Sequence, residues 1–367
     1  MKLKHSDNIM DAYEKISPEG PFLIKLFQLF DKQKIDYCML RNHSMLPTSH
    51  GGSDIDILFS PSCFQKANSI IFYTARDYGG YCISEIWAHR VISRSFCGRY
   101  NNKWWGVRFD TFAYVGTNGC DILPVPHVLG RTIFYHGIRA ASPADAAIIA
   151  FIKEIIGAGQ TRKNYRQLAI NAFSNEKRLF TAALQSYFGP KVFERILLPL
   201  LRNKELNLRA ASSALKSGYL RTKPANTVTI CLIDRWHRFR RVFNRPGAFV
   251  AVLGTDGSGK STIIEAIQPP LENAFHSPVH YRHMRPNLLP SIARLFGRPV
   301  SGGPVTEPHA SKPSGFWGSL LRLFYYSLDY TFGYWIAVWP LMAKKPCLFI
   351  FDRYFQDYYI DPRRGRI

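Results

Sequence analysis

The nine residues Gly254-Thr255-Asp256-Gly257-Ser258-Gly259-Lys260-Ser261-Thr262 constrain this chain more than any other stretch. They fit the pattern G-x-x-x-x-G-K-[ST]. The apolar run 248–253 ahead of them predicts a buried strand, and 262–267 behind them predicts the first turns of a helix. Glycines let the backbone curl until several N–H groups converge, and a helix N-terminus adds partial positive charge at the same point. The run therefore predicts a phosphate cradle built from Gly254, Gly257, Ser258, Gly259, Lys260, Ser261 and Thr262. Lys260 is expected to reach the outer phosphates, and the Ser261 hydroxyl to hold Mg²⁺. A glycine-rich turn that binds nothing is the alternative, and the strand-before, helix-after context speaks against it.

With 367 residues the chain has room for two or three domains, each with its own core. Its 46% hydrophobic content excludes a disordered protein. The formal charge of +22 suits acidic ligands such as nucleotides, and equally nucleic acid or an anionic membrane; charge alone does not choose. Cysteines at 38, 63, 82, 97, 120, 231 and 347 form no C-x-x-C pair, which argues against a disulfide framework and a zinc site. A reducing cytoplasm is the expectation, and residues 1–7 begin no secretory signal. The aromatic stretch 316–343 contains Arg322, Asp329 and Pro340. A spanning helix would bear a cost of about 2.5–3.5 kcal/mol for each central charge, so no transmembrane segment is expected and 316–343 reads as a long buried helix.

Three segments emerge. In the first, 1–140, Phe22, Leu23, Leu26, Phe27 and Phe30 recur at helical spacing, and strands are expected over 36–41, 54–59 and 104–112. The run 54–59 alternates, with Asp54 and Asp56 on one face, and Asp110 lies on a later strand. The second, 141–245, is helical, opening at Ser142-Pro143 with Ser142 as N-cap. Near its end, 235–241 is a basic run with interleaved aromatics. It fits a solvated helix face or linker, and is also compatible with peripheral membrane contact or nucleic acid. The third segment, 246–367, carries the phosphate loop.

Within that third segment, the run 347–351 reads as a buried strand leading into Asp352-Arg353-Tyr354. Ligands in doubly wound sheets sit at the carboxyl ends of strands, so Asp352 is expected beside the loop, positioning Mg²⁺, with Arg353 neutralising phosphoryl charge. The loop G-x-D-G-x-G-K-S and the later D-R-Y together resemble the thymidylate kinase-like branch of P-loop kinases. The resemblance covers about 120 residues. It implies ATP and Mg²⁺ as cofactors and a role for Asp256 in placing the acceptor. It also implies a basic lid and two further strands after D-R-Y, so this part is expected to be C-terminally incomplete. Val279-His280-Tyr281 and Arg285-Pro286 fall where that family carries Arg-Glu-Pro, here without the glutamate. His276, His280 and His283 lack an accompanying carboxylate or thiolate and are not expected to form a metal site.

Ser53-Asp54-Ile55-Asp56 with Asp110 is the second constellation. Two carboxylates at i and i+2 on a strand, joined by a third, suit Mg²⁺ ions that assist attack on an α-phosphate. Over about residues 20–140 the pattern resembles the nucleotidyltransferase superfamily, with Asp54, Asp56 and Asp110 as implied metal ligands. The chain departs from it in one respect: Leu40-Arg41-Asn42 stands where that superfamily usually has a hydrophobic residue followed by glycines. A pair of surface aspartates at a strand edge is the alternative.

The expected fold is α/β: a mixed-sheet nucleotidyltransferase-like domain (1–140), a helical connector (141–245) and a partial P-loop parallel-sheet domain (246–367). The leading expectation for function is Mg²⁺-dependent phosphoryl transfer from ATP, with Lys260, Ser261, Asp352 and Arg353 at work and a nucleotide, sugar or sugar phosphate as acceptor. Nucleotidyl transfer from Asp54, Asp56 and Asp110, with the P-loop half as nucleotide sensor, is the rival. Nucleic-acid binding ranks third, since no recognised motif supports it.

Overall fold

The computed structural model describes residues 16–254, 257–290 and 315–356. The chain divides into two compact units, Met1–Phe239 and Arg240–Ile367.

The first unit opens with α1 (Gly20–Lys32), whose five periodic apolar residues are all buried on one side. Strands β1 (Tyr37–Met39) and β2 (Ile55–Phe59), helix α2 (Phe64–Asp77) and a meander of β3 (Gly80–Ala88), β4 (Val91–Tyr100) and β5 (Lys103–Phe112) follow. Two hairpins come next, β6 (Val115–Thr117) with β7 (Cys120–Leu123), and β8 (Ile133–Tyr135) with β9 (Ile138–Ala140). Seven of these strands form one mixed sheet in the order β3-β4-β5-β2-β1-β9-β8. At its centre β2 runs parallel to β5 and antiparallel to β1.

Helix α3 (Pro143–Ala158) starts where the sequence says. The Ser142 hydroxyl oxygen accepts the Asp145 N–H at 3.1 Å, Pro143 follows, and Gly159 closes the helix at φ 62°. Helices α4 (Lys163–Asn175), α5 (Lys177–Phe188), α6 (Leu208–Thr222) and α7 (Pro224–Phe243) succeed it.

The residues of β2 alternate between faces as expected, but both faces are covered and all five residues are buried. Ile55, Ile57 and Phe59 pack with α1 and α2 on one face, and Leu58 packs on the other with Phe151, Ile155, Phe180 and Leu215. The helices expected as a separate connector over 141–245 therefore share a core with the sheet and cover its second face. Up to Phe239 they belong to the first unit. That cover is what buries β2 on both sides.

The second unit holds β10 (Ala248–Val252), α8 (Lys260–Phe275), β11 (His280–His283), α9 (Phe316–Gly333, continued by helical turns to Lys344) and β12 (Leu348–Asp352). The three strands are parallel, in the order β10-β12-β11. The reading of 316–343 as a buried helix is corrected here. Phe316 is 76% exposed, Trp317 73% and Phe324 63%, while Asp329, Gly333, Val338 and Met342 form the buried side. Among the described residues, Val338 and Met342 of the last turns join Phe349 and Phe351 in the core, with Tyr334 packed against it. Asp329 faces inward because it pairs with Arg285 (3.2 Å) and accepts the Leu289 N–H (2.8 Å). No helix among the described residues is long and apolar enough to cross a membrane.

Candidate functional site

In the second unit, the parallel register aligns Val252, Asp352 and His283 at the carboxyl ends of the three strands. The chain leaves β10 through Gly254, where a Cβ would stand 2.8 Å from the Ser258 hydroxyl oxygen. It enters α8 through Gly259, whose φ of 81° favours glycine. Gly257, Ser258, Gly259, Lys260, Ser261 and Thr262 line one cavity of about 380 Å³ together with His283, Asp352 and Arg353. The loop, the lysine, the hydroxyl and the aspartate expected from the sequence thus meet at one place. Asp256 lies outside the described residues.

Each side chain at this cavity has a structural reason for its position. Lys260 is 9% exposed at the first position of α8. Arg353 follows the last strand residue at φ 69°, uncommon for a non-glycine, and its N–H donates to the Val252 carbonyl at 3.0 Å. That turn brings Arg353 to the cavity wall. The Asp352 carboxylate accepts the Tyr281 hydroxyl through Oδ2 at 2.7 Å, while its Oδ1 is buried without a hydrogen-bond partner. Burial, and then the Asp352 carboxylate, push the Tyr281 phenol up to about 12, so it remains a donor throughout the physiological range. An orphaned carboxylate oxygen and the Ser261 hydroxyl in one cavity are hard donors, and they fit Mg²⁺ sharing a phosphate ligand. Tyr281, named in the sequence only within the run 279–281, fixes the orientation of the Asp352 carboxylate. Tyr281→Phe should raise the Mg²⁺ concentration needed for half-maximal nucleotide binding by about threefold to tenfold, the worth of one hydrogen bond. A magnesium titration monitored by nucleotide fluorescence, with thermal stability as the control, checks this.

The first unit places Asp56 on β2 in register with Asp110 on β5, and Asp54 just before β2. Both register partners face the helical cover. Among the described residues no group of three His, Cys, Asp or Glu side chains stands close enough to hold a metal. Arginines occupy part of the Asp56 and Asp110 carboxylates. Arg41 Nε donates to Asp56 Oδ2 at 2.5 Å, and Arg108 Nε to Asp110 Oδ1 at 3.1 Å. Lys153 of α3 adds a third cation, its ammonium 5.1 Å from the centre of the Phe112 ring. Burial raises the Asp56 carboxyl above its ordinary range, with Arg41 opposing. Burial likewise lowers the Lys153 ammonium, opposed by Asp56.

Asp56 Oδ1 nevertheless remains buried and unpartnered, so one hard donor is left for a cation. Beside these groups lies a cavity of about 350 Å³ lined by Arg41, His43, Lys153, Arg162 and Tyr165 over an apolar floor. Neither Arg41 nor Lys153 was singled out as a site residue. Arg41 stands 15 residues from Asp56 and Lys153 lies on the covering helix, so no local pattern joins them.

The turn leading to Asp54 has its own anchor. The Glu19 carboxylate accepts the His50 ring Nδ1–H (2.7 Å), the His50 backbone N–H (3.3 Å) and the Ser49 hydroxyl (3.2 Å). Burial works against the charge, yet the hydrogen bonds from His50 and Ser17 hold the Glu19 carboxyl at about 2.

No family model matches this chain, and no curated protein matches it.

Proposed function

We propose that the second unit binds a nucleoside triphosphate with Mg²⁺ and transfers its γ-phosphoryl group to a small nucleotide, sugar or sugar-phosphate acceptor. The observation that carries this reading is the single cavity shared by the glycine loop, Lys260, Ser261, Asp352 and Arg353. Phosphoryl transfer asks little covalent chemistry of a protein; it asks for positioning and charge neutralisation. Loop N–H groups and the α8 N-terminus hold the phosphates, and Lys260 and Arg353 meet the charge that spreads over the moving group. Mg²⁺, when bound, supplies charge neutralisation between adjacent phosphates; Ser261 and Asp352 are the residues that would hold it. An acceptor oxygen attacks the γ-phosphorus, the bond to the β-phosphate oxygen breaks, and the diphosphate leaves. The resemblance to thymidylate kinase-like proteins supports ATP as donor. Seven free cysteines fit a reducing cytoplasm.

A second reading, nucleotidyl transfer in the first unit, has one observation in its favour: Asp56 and Asp110 are register partners, with Asp56 Oδ1 left unpaired. The two readings differ in which phosphate moves. Incubation with candidate acceptors should transfer label from γ-labelled ATP and leave α-label in the released diphosphate. Transfer of α-label, lost in Asp54→Asn/Asp56→Asn, would move the chemistry to the first unit.

A further inference from the structure

The basic aromatic run has no part in either cavity, and the structure gives it a definite arrangement. Helix α7 seats on the first unit through Ile230 and Asp234. Ile230 is 5% exposed and packs so close to Gly119 that a Cβ there would stand 2.8 Å from it, and Asp234 accepts the His89 N–H at 2.9 Å. Positions 228, 232, 236 and 239 lie on the opposite side of the helix at its 3.6-residue period. They are apolar and exposed: Val228 55%, Leu232 62%, Trp236 58% and Phe239 55%. The Trp236 and Phe239 rings stack on each other, 6.0 Å between centres, which widens the stripe. Arg235 and Arg238 are exposed on the flank, and neither forms an ion pair among the described residues.

We infer that this outward stripe of α7 docks on the surface of an anionic lipid bilayer, with Val228, Leu232, Trp236 and Phe239 entering the headgroup boundary and Arg235 and Arg238 meeting lipid phosphates. Charge decides the occupant. A nucleic-acid surface would need the arginines at the centre of the exposed face, where the structure puts apolar groups. A second copy of the helix would bring arginine against arginine in a chain of net charge +22. A bilayer with anionic headgroups takes both the apolar centre and the basic flank. The helix lies on the surface and does not enter it end-on, because no described helix is apolar enough to span. The inference stands independently of the proposed phosphoryl transfer.

The test is co-sedimentation of the full chain with vesicles of mixed phosphatidylcholine and phosphatidylserine, against phosphatidylcholine alone. The chain should partition to the anionic vesicles and release as salt rises. Leu232→Glu/Trp236→Glu should lower the partition coefficient by about tenfold or more, and Arg235→Glu/Arg238→Glu by a similar factor on anionic vesicles only. Because these side chains lie outside the core, both variants should keep the parent's circular dichroism and nucleotide affinity. Equal partition of parent and Leu232→Glu/Trp236→Glu overturns the proposal, as does absence of binding to anionic vesicles at low salt. Oligonucleotide binding that needs Arg235 and Arg238, without vesicle binding, assigns the face to nucleic acid and overturns it too. So does a concentration-dependent dimer abolished by Leu232→Glu/Trp236→Glu.

Discussion

Lys260→Ala should lower the affinity for Mg-ATP by about a hundredfold or more in calorimetric titration, with the thermal transition little changed. The size follows from where the charge sits. Lys260 is 9% exposed at the first position of α8, in a cavity shared with the glycine loop, Ser261, Thr262, His283, Asp352 and Arg353. A preorganised cation meeting a polyphosphate contributes on the order of 3–4 kcal/mol, as the donors of an oxyanion site do. Truncation removes that contribution and puts no charge in its place. It also leaves the helix intact, since alanine is the best helix former and the lysine stem contributes little to the apolar core of the unit. The companion variant Asp54→Asn/Asp56→Asn should bind Mg-ATP as the parent does. The opposite result, binding that survives Lys260→Ala and disappears with the two aspartates, would place the nucleotide in the first unit and reject the phosphoryl-transfer reading.

The difference in legibility between the two cavities has a physical cause. The P-loop cavity is built from a contiguous stretch and one strand end, so local pattern carries most of it: the glycine spacing, the strand before, the helix after, and an aspartate at the close of an apolar run. What that pattern lacked was Tyr281, which reaches Asp352 across 71 residues. The first unit is assembled differently. The polar residues of Asp54–Phe59 alternate, and alternation tells only that two faces differ, not that both are covered. Asp56 is buried because α3 covers the second face, a packing decision made nearly 90 residues further along. Arg41 read as a departure from a glycine-rich pattern, whereas its guanidinium is the partner that allows Asp56 to be buried at all. Residues 316–343 failed in the other direction. Composition marked the helix as apolar enough to bury, but a three-stranded sheet reaches only its last turns, and its inward charge, Asp329, is held by Arg285.

Glu19→Gln should cost the first unit about 3 kcal/mol of stability at neutral pH, and that cost should shrink steadily in acid. The Glu19 carboxyl is held at about 2 instead of its ordinary 4.5, and the residue is 5% exposed. A depressed carboxylate contributes stability that is fully present above the unfolded value. It is lost as pH falls toward the folded value, because the unfolded chain takes up the proton first. At about 1.4 kcal/mol per pH unit, the interval from 4.5 to about 2 amounts to roughly 3 kcal/mol. The parent and Glu19→Gln unfolding free energies should therefore run a constant distance apart above about pH 5 and converge below it. Urea titrations at a series of pH values from about 7 to about 3 read this difference directly, and subtraction of the two curves removes the carboxylates common to both. Curves that stay parallel down to pH 3 would mean that Glu19 is not the anchor its hydrogen bonds indicate. The same residue ties the acid response to the site: Ser49 and His50, which donate to it, precede the turn that presents Asp54. In the folded parent Glu19 keeps its charge down to about pH 2, so the turn that presents Asp54 stays tied throughout the titrated range, whereas Glu19→Gln lacks that tie at every pH.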